Sequence, residues 1–596
     1  MRISFAVALA TLMLPVAAQA RDAAAPSSPS AAVSAAARAP RLPVLLDDAA
    51  RLNYRKVFAA IRAERWADAQ LLLDATKPGL LHSIARAELY TARNSPKAAG
   101  QALAELVALA PELPHAAQLA RLAKSRGIED LPPLPAEQKL VWVGGAPVRA
   151  RLKSVKSDAA AAELAVAMRP HIKADDGAAA EALLDTRDGD LTPEARAEWA
   201  QRVAWIYYTA GDDANARRMA ARARRGEGDW VAQADWVDGL AAWRQQDCGA
   251  AQAAFQSVAQ RATHSEMRSA GLYWASRADI ACGHPELVQA RLQSASQYGE
   301  TFYGLLARHA LGMDDAPVRT ADAMTADWHA LGALINVQVA SALIEIDETA
   351  LADRVLRHQA KIGDVRDFAA LSRLAGTLNL PQTQLWLAQY CPPGASPAVE
   401  ARYPAPNWTP DGGWRVDKAL VYAHALQESR FDADIVSPAG AFGLMQIMPA
   451  AATDIARARG VTIDRSALAR PSTNIEVGQS YLEKLRDMAA TQGLLPKVIA
   501  AYNAGPSPVE AWNVQTHDNG DPLLYIESIP YWETRGYVMT VLRNYWMYER
   551  KEGKASASRA ALAQGLWPKF PGLPGEKAVR ISKTRGTRAG SATGAR

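Results

Sequence analysis

The residues with the clearest chemical potential surround Glu428, which stands in Ala425-Leu426-Gln427-Glu428-Ser429-Arg430-Phe431. Two further blocks follow at short range: Ser437-Pro438-Ala439-Gly440-Ala441, then Gly443-Leu444-Met445-Gln446-Ile447-Met448-Pro449. Before the glutamate, Val416, Ala419, Leu420, Val421, Ala423, Ala425 and Leu426 are apolar on nearly every side of a helical period. That pattern belongs to a helix buried all round. Glu428 would close it, and both burial and the partial negative charge of a helix C-terminus disfavour an ionised carboxyl there. A carboxylic acid kept protonated near neutral pH can protonate a leaving oxygen, as acid-assisted cleavage of a glycosidic bond requires. An arbitrary helix-end glutamate merely points into solvent, but these neighbours argue against that reading.

The elements that must carry this site occupy a long, mostly helical chain. Met1-Arg2, an apolar stretch from Ile3 to Val16 and Ala18-Gln19-Ala20 before Arg21 have the form of a secretory signal peptide with an A-x-A cleavage site. Residues 21 to 45 are rich in Ala, Ser and Pro and read as a flexible lead-in. From Leu52 to Leu122 the spacing of Tyr54, Val57, Phe58 and Ile61, then Ala67, Leu71, Leu72 and Leu73, predicts helices. Leu131-Pro132-Pro133-Leu134-Pro135 interrupts them, and Leu140-Val141-Trp142-Val143 has a short extended pattern. Between 190 and 310 aromatic-rich segments precede turns at 211, 247 and 283, a spacing of 36 residues. This is close to the ~34-residue period of helix-turn-helix arrays, so an α-solenoid is expected. A further helical stretch, with Leu331, Leu334, Ile335 and Val339 in register, ends at Cys391-Pro392-Pro393-Gly394.

Charge and composition narrow the class. The formal charge is +5 and the isoelectric point about 8.9. Part of that charge lies in a tail where Lys577, Arg580, Lys583, Arg585, Arg588 and Arg596 face only Glu576. Such a tail reads as disordered and could hold the protein near an anionic wall or membrane surface. No nucleic-acid module is recognisable, so nucleic acid is not expected as a partner. No integral membrane span is expected, because no stretch after the leader approaches about 20 uninterrupted apolar residues. Three cysteines in an exported chain allow one bridge. Cys248 and Cys282 fall in corresponding loops of neighbouring helical pairs, which leaves their pairing open and Cys391 free. The ten histidines have no metal-ligand spacing. His424 reads as a packing or hydrogen-bonding residue, and no metal or cofactor is expected.

Downstream come Asn474-Ile475, Gly478, Tyr481-Leu482, then Ala500-Ala501-Tyr502-Asn503-Ala504-Gly505-Pro506, Glu527-Ser528-Ile529-Pro530 and Glu533-Thr534-Arg535-Gly536-Tyr537. With the two blocks after Glu428, these ordered motifs make residues 403 to 548 resemble the catalytic domain of the soluble lytic murein transglycosylases. The helical array upstream is similar to that family's ring-forming superhelical domain, supported by Tyr273-Trp274 and Thr301-Phe302-Tyr303-Gly304. The resemblance implies an all-α chain: an N-terminal α-superhelix followed by a lysozyme-like α-helical catalytic domain. It divides the sequence into a leader (1–20), lead-in (21–45), superhelical domain (46–315), helical linker domain (316–395), catalytic domain (396–550) and basic, largely disordered tail (551–596).

It also implies a periplasmic enzyme that cleaves the β-1,4 bond between N-acetylmuramic acid and N-acetylglucosamine in peptidoglycan glycan strands, leaving 1,6-anhydromuramoyl ends. Glu428 would be the single acid and base. Ser437 would support it or bind the sugar's N-acetyl group, Gln446 and Met448 would line the groove, and Tyr502 with Asn503 would shape the site beside Glu428. Glu533 would bind saccharide hydroxyls, whereas Arg535 and Tyr537 would hold the local fold. A retaining glycosidase normally needs a second carboxylate as nucleophile. Between Ser429 and Ile463 the acids are Asp432, Asp434 and Asp454, none in a family catalytic position. Ala451 departs from the threonine usual in the family, which costs a helix cap about 1 kcal/mol. A hydrolysing muramidase and a noncatalytic peptidoglycan-binding scaffold are the alternatives, and the array could also receive cell-wall protein partners.

Overall fold

Long apolar helices alternating with shorter partners build the middle of the chain. Pro193–Thr209, Asp229–Arg244 and Ser265–Ala281 each turn back into a second helix, respectively Asp213–Ala223, Cys248–Arg261 and Pro285–Ser296. Each reversal needs one left-handed residue, supplied by Gly211 (φ 83°), Gln246 (φ 64°) and Gly283 (φ 77°). Asp212 and Asp247 then cap the returning helices through Asn215 and Ala250 N–H groups. Stacking buries the aromatic residues of successive pairs together: Trp236 meets Phe255 at 5.3 Å and Trp274 at 6.2 Å, edge to face. The computed structural model describes residues 42–156, 158–313 and 321–581. The leader and the last 15 residues lie outside the described part.

Cys248 and Cys282 are joined by a disulfide with a Cα–Cα distance of 5.5 Å, and Cys391 is free and buried. No helix of the described residues is long and apolar enough to cross a membrane.

Among the described residues the two larger of three cores each cross the divisions expected from sequence. In one, Tyr54, Phe58 and Leu73 from the first helices pack with Val337, Leu356, Leu371 and Leu387 from the helices before Cys391. The first and last helices of the array thus share an interior, fixed at its edge by Glu345, which accepts from Leu45 and Leu46 N–H (2.7 and 3.2 Å) and Arg51 (3.1 Å). The stretch 46–315 expected as one domain therefore contributes to both of these cores. The other core runs from Leu164 through Trp274 and Leu305 into Leu420, Val498 and Trp546. Phe302 stacks on Trp546 at 5.0 Å, joining the array to the helix Trp532–Lys551.

The proline-rich segment after residue 128 ties these parts together. Val141–Trp142 forms a two-residue antiparallel pair with Tyr390–Cys391. Gln138 donates to the carbonyls of Ala360 (3.0 Å) and Gly363 (2.9 Å), and Arg543 donates to the Pro147 carbonyl. Arg149 forms a two-pronged ion pair with Glu527 at 2.5 and 3.0 Å, and Tyr303 donates to the same carboxylate at 2.6 Å. Burial pushes the Arg149 guanidinium down, but Glu527 more than restores it and leaves it above its ordinary value.

The tail is a correction. Order does not stop near residue 550: Ala557–Ala563 is helical, and Trp567–Pro568 pairs with Ala578–Val579. The reason is hydrophobic. Trp567 (1 % exposed) and Phe570 (2 %) insert into the core that holds Leu420, Val498 and Trp546, while the basic residues that suggested disorder lie mostly beyond them.

Two stability outcomes are expected. Cys248→Ser with Cys282→Ser should lower the urea midpoint of the array by the equivalent of about 3–4 kcal/mol, from the loop of 34 residues that the bridge closes; an unchanged midpoint would remove the bridge from the stabilising interactions. Arg149→Met should cost on the order of 3–5 kcal/mol by stranding a buried carboxylate, and Arg149→Met with Glu527→Leu should recover most of it. A double variant as unstable as the single one would contradict this origin.

Candidate functional site

The helix Lys418–Glu428 starts at Asp417, whose carboxylate accepts from Ala419 N–H at 2.9 Å, and buries every residue from Ala419 to Ala425. It ends by reversing sharply through Arg430 (φ 55°) and Phe431 (φ 65°), two consecutive side-chain-bearing residues in the left-handed region. Such backbone costs of order 1–3 kcal/mol per residue and persists where surrounding packing enforces it. Here Phe431 is buried against Tyr422 (5.7 Å) and Trp408 (6.0 Å), and Arg430 donates to the Gln389 side chain. The reversal leaves Glu428 half-buried at the helix end, between the interior and solvent.

Burial is the main influence on the Glu428 carboxyl and pushes it up to about 7. The Tyr537 hydroxyl donates to Oε1 at 2.5 Å and opposes the shift, while the negative charge of Glu533 adds to it. Two other acids, Glu266 and Glu549, are also pushed to about 7 by burial. They are only 5 % and 6 % exposed and sit inside packing interfaces, so no substrate reaches them. Glu428 alone of the three combines a raised carboxyl with access.

The Ser437–Pro449 blocks form a compact loop beside it. The Ser437 hydroxyl accepts from Ala441 N–H at 3.0 Å, closing a turn through Gly440 (φ 85°) rather than reaching Glu428. Gly443 permits close packing, since a Cβ there would meet the Asn474 side chain at 2.3 Å. Asn474, fully buried, accepts from Met445 N–H (2.9 Å) and donates to the Phe442 and Leu468 carbonyls (3.2 and 2.9 Å). The Gln446 amide donates to the Gly443 and Ile435 carbonyls at 2.9 and 3.3 Å, so it braces the loop. Met448 follows with 44 % of its surface exposed and no side-chain cap for the helix Pro449–Arg459, in which Ala451 packs against the core.

Tyr502 donates to the Met445 carbonyl at 2.7 Å. Burial, then the charge of Glu428, hold its own phenol well above the ordinary range. Asn503 accepts from the Thr534 hydroxyl at 2.6 Å and so fastens two helices rather than facing Glu428. Glu533 is exposed and acts on Glu428 through its charge. The expectation for Tyr537 needs correcting. It lies 109 residues from Glu428 in sequence, yet it is the side chain hydrogen-bonded to it. His424 has a similar local role: its ring is 4.8 Å from Tyr502 and 6.1 Å from Tyr537, Nδ1 pairs with the Leu420 carbonyl at 2.9 Å, and burial lowers it to about 4, so it is neutral. The i+4 spacing from His424 to Glu428 was a usable signal. Nothing local marked Tyr537.

Chemically the site offers one carboxyl that changes charge near neutral pH, with one phenol steadying its anion. Among the described residues, no group of three His, Cys, Asp or Glu is arranged to hold a metal ion.

Residues 410–524 match the family described as Transglycosylase SLT domain. The chain is 37 % identical over 147 residues to the soluble lytic murein transglycosylase of Salmonella typhimurium, covering 24 % of this chain and 22 % of that one. It is 39 % identical over 132 residues to the soluble lytic murein transglycosylase of Escherichia coli K12, covering 22 % and 20 % respectively. The matched stretch therefore spans about a fifth of these relatives' length. In fold, the chain is similar to the 70 kDa soluble lytic transglycosylase of Escherichia coli, with a TM-score of 0.51 at 17 % identity, covering 87 % of this chain and 99 % of that one.

The two influences on Glu428 act in opposite directions. Tyr537→Phe removes a donor to the carboxylate and should move the Glu428 titration midpoint above about 7. Glu533→Gln removes a like charge and should move it below. Difference infrared spectroscopy against Glu428→Gln reads both, and shifts of the same sign would contradict the assignment.

Proposed function

We propose that this chain is an exported peptidoglycan lytic transglycosylase acting on the β-1,4 bond between N-acetylmuramic acid and N-acetylglucosamine. Protonated Glu428 gives its proton to the glycosidic oxygen as the C1–O bond breaks. The resulting carboxylate then takes the proton of the muramoyl C6 hydroxyl while that oxygen bonds to C1. The products are a free N-acetylglucosamine 4-hydroxyl and a 1,6-anhydromuramoyl end, and Glu428 returns to its starting form without consuming water. The observation that carries this reading is the accessible Glu428 carboxyl, raised to about 7 and hydrogen-bonded to Tyr537, with the exposed Glu533 acting on it through its charge. A group balanced between its two forms is suited to act first as acid and then as base. The match of residues 410–524 supports the substrate class.

In this reading Tyr537 steadies the carboxylate formed midway, and Tyr502 holds the loop that carries Gln446 and Met448 against Glu428. Ser437, with its hydroxyl proton still to donate, and exposed Glu533 contact the saccharide, and Asn503 shapes the loop from behind. The leader at residues 1–20 directs the chain to the periplasm, and the helical array keeps the catalytic part on the wall or offers a surface to cell-wall proteins.

Glu428→Gln should lose on the order of 10²–10⁴ of the wall-solubilising rate, the usual worth of a positioned acid–base group. Fragments released by the native protein should be lighter by one water than hydrolysis products when weighed by mass spectrometry; fragments carrying that water would make the enzyme a muramidase instead. Because the first step requires protonated Glu428, the rate should fall as pH rises through about 7. A flat profile between about pH 4 and pH 9 would be incompatible with one titrating carboxyl.

A further inference from the structure

The buried stretch of the helix Lys418–Glu428 is apolar at Leu420, Val421, Ala423 and Ala425, and Tyr422 satisfies its hydroxyl on the Pro406 carbonyl. His424 breaks that pattern. It is a fully buried ring one turn before Glu428, on the same helix face. Nδ1 lies 2.9 Å from the Leu420 carbonyl, which can only accept, so Nδ1 carries the proton and Nε2 is a bare acceptor. Nε2 is buried with no partner. Leucine at this position would fill the space without that cost.

Two phenols wall the ring: Tyr502 of the helix Leu495–Ala504 at 4.8 Å and Tyr537 of Trp532–Lys551 at 6.1 Å. Neither hydroxyl proton is free for Nε2, since Tyr502 donates to the Met445 carbonyl and Tyr537 to Glu428. Tyr481 of the helix Pro471–Arg486 stands behind Tyr502 at 5.4 Å. Glu428, one turn on, is the acid of the same helix face. We infer that His424 is a positioning residue that serves Glu428 only as the neutral ring, so that its protonation switches the site off in acid.

A proton taken up at Nε2 turns the bare acceptor into a donor and puts a cation among the phenols. A buried cation without a counter-charge must reach water. The route lies at the end of its own helix, where Arg430 and Phe431 already hold left-handed backbone. Opening there draws Glu428 away from Tyr537. The cation also favours the ionised form of Glu428, which has no proton to give. Burial lowers the ring from its ordinary 6.5 to about 4, so the closed site binds this proton more weakly than an open chain does. Closure is therefore fully present above about 6.5 and is lost as pH falls through about 4. The inference rests on Glu428 as the acid of the proposed reaction, and either product, anhydro or hydrolysed, is compatible with it.

The rate of wall solubilisation against pH tests it, each protein being compared with its own maximum. The native rate should fall on the acid side with a midpoint near 4, reaching about a tenth one pH unit below it. His424→Asn keeps a donor for the Leu420 carbonyl but cannot ionise, and should extend the active range downward by at least about one pH unit. His424→Leu should do the same. If neither variant folds, histidine-selective nitrogen-15 NMR of the native chain decides: Nε2 should be bare near about pH 6 and take up its proton together with the loss of rate. A native rate with no acid limb, an acid limb unchanged in a folded variant, an Nε2–H tautomer, or protonation at a different midpoint from the loss of rate would each overturn the inference. Fragments carrying water would overturn the transglycosylase reading alone and leave the acid limb in place.

Discussion

The buried contact between Arg149 and Glu527 is the constraint on which the arrangement of the chain depends. It joins a segment with almost no regular structure to the short helix Pro522–Ser528, which leads into the helix bearing Tyr537. A lone carboxylate in that position would be untenable, and so would a lone guanidinium. Each needs the other in place, and Tyr303 of the array completes the set. Three stretches separated by hundreds of residues are thereby held to one geometry. Neighbouring contacts reinforce it: Arg277 with Asp521 at 2.6 Å, Tyr208 with Ser528 at 2.7 Å, and Arg402 with Glu300 at 2.5 Å.

This constraint bears on Glu428 through helix position. The carboxyl is set by a balance between burial, one phenol and one like charge, and both acting side chains come from the first two turns of Trp532–Lys551. Their reach to Glu428 depends on where that helix begins, which the Glu527 cluster anchors from one side and the stacking of Phe302 on Trp546 from the other. The array is therefore part of what positions the site. On the opposite side, Arg430 reaches Gln389, whose carbonyl accepts from Val143 of the extended segment at 2.9 Å. The reversal after Glu428 is thus braced by the same segment that carries Arg149.

Much of this was legible locally. The period of 36 residues announced the helical pairs, and the all-round apolar run before Glu428 announced a buried helix ending in a carboxyl. Within the Gly-Leu-Met-Gln block, Gly443 packs so closely on Asn474 that a Cβ would meet its side chain at 2.3 Å. Ser437, Gln446 and Asn503 were identified as site residues, yet their observed hydrogen bonds go mainly to the scaffold of the loop and its neighbouring helix. Residue type indicates which bonds a side chain can make; only packing selects among them. The tail was misread because composition averages over a stretch, whereas Trp567 and Phe570 act individually by filling the core.

By itself the sequence determined the helical class, the repeat and the buried helix that ends in a carboxyl, because periodicity, capping and motif spacing are short-range properties of the chain. Tertiary structure alone decided that the first helices close onto the last, that Cys248 meets Cys282, and that Tyr537 rather than Ser437 is bonded to Glu428. It also decided that Arg535 lines a cavity with its Nε buried and unpartnered. These are encounters between residues distant in sequence. Their energies depend on desolvation and on separations of a few ångströms, which exist only once the cores have formed.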